Sequence, residues 1–170
     1  MRDFQGRSGT LARLSTGAKA LYLSFNLLTV LGFATALLLY WDSLGLKFAS
    51  VSAYYLGNDD PDAMVIAVEK TPRYLLEITH QHLFSMPVVM VVLGHLFLLA
   101  RGGPWKTAVV IAAPVLTILH LAGPWIVRYG GSGWAWWMPV TAIPYVAVYV
   151  FMALWPLPDV FSKPEARGET

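Results

Sequence analysis

The chain has 170 residues, 56% hydrophobic and 13% charged, with a mean hydropathy of +0.56. Soluble domains carry about 25% charged residues, and a chain of this size still exposes about a third of its unfolded surface, so the excess apolar area must face lipid. A net charge of +2 argues against a nucleic-acid partner, and the lack of cysteine excludes disulfides, thiolate metal sites, iron–sulfur clusters and covalent c-type haem.

Four apolar runs reach the roughly 20 residues that a membrane-spanning helix needs. They cover residues 20–41, 75–100, 107–127 and 134–155, with an outer loop over 42–74. None shows the two-residue alternation of a barrel strand. The predicted fold is therefore all-α: an integral membrane four-helix bundle forming a single domain over 1–170. Ala34-Thr35-Ala36 imitates a signal-cleavage site, but the apolar run continues to Trp41, which predicts an uncleaved first span.

Orientation follows from the basic residues. Arg2, Arg7, Arg13, Lys19, Arg101, Lys106, Lys163 and Arg167 fall on one side, against Lys47, Lys70, Arg73 and Arg128 on the other. This predicts both termini in the cytoplasm and the 42–74 loop outside, in a bacterial inner membrane. Tyr40, Trp41, Tyr54, Tyr55, Tyr74, Trp125 and the Trp134–Trp137 cluster map to an outer aromatic belt, Trp105 and Trp155 to an inner one. Within the loop, Asn58-Asp59-Asp60-Pro61-Asp62 is a helix-start signal. Ala63–Val68 is apolar enough to lie along the membrane or a partner. Pro87, Pro114, Pro124, Pro139 and Pro144 interrupt the last three spans, where they free carbonyls and can open space.

All four histidines of the chain, His80, His82, His95 and His120, lie inside predicted spans. Ionisable groups are costly there and usually face a bundle interior or a cofactor. His80 and His95 differ by about 60° in direction and ~22 Å in height on one helix, whereas His82 points roughly opposite to both. Gly94 beside His95 would let a flat macrocycle approach the backbone, or two helices approach each other. Across the short 101–106 turn, His120 stands opposite residue 85, within reach of His80 or His82. His95 faces only valine and isoleucine at its depth.

The histidines in Glu77-Ile78-Thr79-His80-Gln81-His82, Gly94-His95 and Leu119-His120 give this region a resemblance to the b-type cytochromes, which carry histidines 13–15 residues apart on one membrane helix. The resemblance implies haem b: one between His120 and His80 or His82. A second at His95 would need a ligand from elsewhere. It also implies electron exchange with quinone or a periplasmic redox protein, in a subunit of a respiratory complex more than in a free-standing enzyme. Other membrane subunits and the lipid bilayer are the expected partners. Glu77 is a candidate proton relay, or pairs with Arg73 one turn away. Two alternatives use the same residues: a cofactor-free assembly subunit with hydrogen-bonded histidines, and a metal-handling or transport protein built on Glu77 and His80.

Overall fold

The computed structural model describes residues 11–45, 47–58 and 67–163. Of the predicted helix start at 58–62 and the apolar stretch 63–68, residues 59–66 lie outside them. The helices, in chain order, are α1 (Thr16–Ser43), α2 (Phe48–Leu56), α3 (Pro72–Leu99), α4 (Trp105–Gly130), α5 (Trp137–Leu154) and α6 (Leu157–Phe161). Four segments are long and apolar enough to cross a membrane: α1, α3, α4, and the Ser132–Phe161 segment that contains α5. The protein is an all-helical integral membrane protein.

The first three long helices start before the predicted spans, and polar side chains cap the starts of α1 and α3. Ser15 Oγ accepts from the Ala18 amide at 3.3 Å at the start of α1. At the start of α3, Thr71 Oγ1 accepts from the Tyr74 amide at 3.2 Å, with Pro72 in the first turn. Such caps satisfy amides that have no partner within the helix.

Helices α3, α4 and α5 enclose the main core, in which Leu93, Phe97, Ala113, Tyr149 and Met152 are buried. Without a hydrophobic drive between helices in lipid, packing and interhelical hydrogen bonds hold them together. Tyr149 Oη donates to Thr117 Oγ1 (2.8 Å), whose own hydrogen goes to the Ala113 carbonyl. Trp125 Nε1 donates to Thr79 Oγ1 (2.9 Å) across α3 and α4. Helix α1 is the outlying member. Its buried Asn26 donates Nδ2 to the Ala153 carbonyl of α5 at 3.0 Å, while Leu27, Leu28, Leu31 and Leu38 are exposed on its outer side.

The loop holds more structure than the sequence predicts. Helix α2 turns Val51 and Tyr55 into a second core with Leu44, Leu75, Val127 and Met138, and so caps one end of the bundle. The chain leaves α2 through Gly57, at φ +84°, a conformation that favours glycine. Its return is anchored by Arg128, which pairs with Glu69 and donates Nε to the Lys70 carbonyl at 3.0 Å.

At the opposite end, the turn at Leu11–Arg13 and α6 close on the α3–α4 connection, burying Leu11, Tyr22, Ala100 and Val160. Lys106, predicted as a turn cation, is buried instead. Its Nζ donates to the carbonyls of Leu98 (2.8 Å), Phe97 and Ala100 at the end of α3, of which Phe97 also accepts from the Ala100 amide.

Candidate functional site

Helix α3 carries two stripes. Leu75, His82, Met86, Leu93 and Phe97, spaced 7, 4, 7 and 4, face the bundle; the four apolar members are buried and His82 is half-buried. His80, Phe84, Val88, Val91 and His95, spaced 4, 4, 3 and 4, are all exposed. His80 and His95 thus share a face, as the helical geometry predicts, but that face is turned outward. The His80 ring lies 4.7 Å from that of Phe84. Glu77 is exposed and pairs with Arg73 Nε at 2.9 Å. Gly94 is buried against α4 and α5, and a Cβ there would make ordinary van der Waals contact with the Val110 and Met152 side chains at 3.5–3.8 Å.

His82 and His120 are brought together. Both line one cavity of about 430 Å³ in the half of the bundle nearest α2, and the two imidazoles are close enough to interact electrostatically. That volume falls in the range of small-molecule and cofactor sites. Walls come from α1 (Phe33, Ala36), α3 (Ile78), α4 (Leu121, Pro124) and α5 (Met138, Ala142). Pro124, three residues before the predicted end of its span, therefore does border open space.

Hydrogen bonds fix both rings in the same sense. His82 Nδ1 lies 2.9 Å from the Ile78 carbonyl, which can only accept, so Nδ1 carries the proton. His120 Nδ1 lies 3.1 Å from Thr141 Oγ1, whose hydroxyl hydrogen is donated to the Trp137 carbonyl at 2.8 Å, leaving a lone pair for His120. Each ring therefore keeps Nε2 as the nitrogen available to a ligand. The His120 ring also stacks on Tyr145, centroids 4.9 Å apart and planes 14° apart.

Tyrosines form the mouth under α2. Tyr54 and Tyr74 share a hydrogen bond of 2.6 Å between hydroxyls, and Lys70 Nζ sits 4.2 Å from the Tyr54 ring and 5.1 Å from that of Tyr74. Burial pushes the Tyr54 and Tyr55 hydroxyls above the usual tyrosine range. Tyr40 also lines the cavity, and its hydroxyl is buried without a hydrogen-bond partner. Sequence reasoning assigned these tyrosines to the interfacial belt and missed Thr141 and Tyr145 altogether. The last two stand four residues apart on α5, both buried, so a polar i, i+4 pair within an apolar span is the signal that marks them.

A family model described as a transmembrane helical domain, Aq_1264_TM, matches residues 45–167. No curated protein and no solved structure matches the chain.

Proposed function

The chain belongs to this family of transmembrane helical domains, and from its own residues we propose that it is a membrane electron-transfer subunit holding one haem b between His82 and His120. The observation that carries this reading is the pair of Nδ1-anchored imidazoles on one cavity. Histidines that ligate metals typically donate their other ring nitrogen to a carbonyl or similar acceptor, which fixes tautomer and ring orientation. Here Ile78 and Thr141 take that part.

The donor set fits a porphyrin better than a bare ion. A porphyrin supplies four nitrogens of its own and asks two imidazoles of the protein, whereas among the described residues no three His, Asp or Glu side chains gather as a metal site. Lys70 at the mouth offers a cation to carboxylates that reach the aqueous edge. When bound, the haem supplies one-electron exchange with a quinone or a periplasmic redox protein. The protein's residues hold, orient and dry it: Phe33, Leu121 and Met138 exclude water, and α2 caps the end. His80 and His95 on the outward stripe are costly in hydrocarbon, which favours a larger assembly in which another membrane subunit covers them. The metal-handling alternative is disfavoured by Glu77, whose carboxylate is engaged by Arg73.

The test is the reduced-minus-oxidised optical spectrum of the purified chain loaded with haem b. A b-type low-spin spectrum at one haem per chain is expected. Its absence from folded, haem-supplied protein would overturn the reading in favour of a cofactor-free assembly subunit.

A further inference from the structure

A second cavity of about 390 Å³ runs between α1 and α3 and meets the first at Phe33, Ala36, His82 and Tyr145. Phe25, Leu28, Gly32 and Val89 line its remaining length, with Thr29 and Ser85 as its polar members. From His82 to Val89 the groove follows α3 for about 10 Å, and from Ala36 to Phe25 it follows α1 for about 16 Å. It is open along its side. Leu28 is 69% exposed, Ala36 and Ser85 are exposed, and a Cβ on Gly32 would meet nothing within 4 Å. At this depth the opening gives onto hydrocarbon, so an occupant reaches His82 from the bilayer.

The polar groups at the inner end say what the occupant's head must carry. Ser85 Oγ gives its hydrogen to the Gln81 carbonyl at 2.8 Å, and Tyr145 Oη gives its hydrogen to Met86 Sδ at 3.3 Å. Both hydroxyls therefore have lone pairs to offer and no hydrogen to spare. Such a pair asks for two donors on one apolar molecule. A hydroquinone has two O–H donors; its oxidised quinone has only acceptors, a fatty alcohol has one donor, and a phosphate head would need cations that the groove lacks. The Phe33 and Tyr145 rings, centroids 6.1 Å apart at 69°, give the head an aromatic corner.

We propose that the α1–α3 groove binds a chain-bearing hydroquinone, its tail along Gly32 and Val89 and its hydroxyls donated to Ser85 and Tyr145. This rests on the electron-transfer reading of the adjoining cavity and selects the lipid-borne partner over the periplasmic one as the molecule that docks here.

The experiment measures binding of a decyl-tailed benzoquinol, held reduced, and of its oxidised quinone to the full chain in nanodiscs. Haem-free and haem-loaded preparations are run side by side. Wild-type protein is expected to bind the reduced form at least tenfold more tightly than the oxidised form. Gly32→Leu, which fills open space without a clash, should weaken quinol binding at least tenfold while leaving the thermal melt unchanged. Ser85→Ala should erase the preference for the reduced form. Equal binding of both redox forms by wild-type protein, unaltered binding by folded Gly32→Leu, or equal competition by dodecanol would each overturn the proposal. Quinol binding by the haem-free protein, should haem fail to load, would show that the groove stands while the haem reading falls.

Discussion

Lys106→Met removes a buried ammonium from the end of α3 while keeping the length and apolar stem of the side chain. Three carbonyls lose a donor, but Phe97 keeps the Ala100 amide as a partner, so Ala100, 4% exposed, is the buried residue whose carbonyl loses its partner. Leaving a buried acceptor unsatisfied costs about 1–3 kcal/mol. One such loss gives about 1–2 kcal/mol, the lower half of the range because methionine no longer has to bury a charge. A cation at a helix C-terminus adds a smaller favourable term of about 0.3–1 kcal/mol. Titration from mild detergent into dodecyl sulfate micelles, followed by far-ultraviolet circular dichroism, reads the difference. Lys106→Arg should recover part of the loss. A Lys106→Met variant within about 0.5 kcal/mol of wild type, a third of one hydrogen bond to a charged donor, would refute the capping role.

Asn26→Leu should cost about 1 kcal/mol, measured in the same titration, because it removes the hydrogen bond from α1 to the Ala153 carbonyl. Gly123→Ala should cost about 1–3 kcal/mol by overpacking, since the new Cβ would collide with Met138 Sδ and press on the Trp137 ring. Gly32→Ala, in open space, should leave the melt unchanged or raise it slightly. Alkaline stability should depend on the tyrosines at the mouth. Their folded pKa values lie above the unfolded value of about 10, so their contribution is complete below pH ~10 and is lost as pH climbs toward the folded values. Tyr55→Phe should therefore lose less helix signal than wild type between neutral pH and strong alkali.

The four spans were legible because each is an uninterrupted apolar run, which lipid demands of a helix regardless of what packs beside it. Helix α2 was not. Its nine residues are too few for a strong pattern, although the Val51–Tyr55 pair and the following Gly57 are signals of a short capped helix. Among the histidines, the sequence placed His80 and His95 on one face and His82 on another, and the structure keeps that geometry. Which face points inward depends on the neighbours. The clue lay in the 7-4-7-4 spacing of Leu75, His82, Met86, Leu93 and Phe97, a packing seam that only His82 joins. The pairing of His120 with the half of α3 nearest α2 followed from the short turn between the helices. The roles of Thr141 and Tyr145 did not, because they depend on how α5 is rotated against α4.

The cavity shared by His82 and His120 is tested most directly by haem content and low-spin signal in four variants, each normalised to folded protein. His82→Ala and His120→Ala should abolish the bis-histidine low-spin spectrum. His80→Ala and His95→Ala, on the outward stripe, should retain it at one haem per chain. A full low-spin signal in His120→Ala, or its loss in folded His80→Ala, would contradict the account.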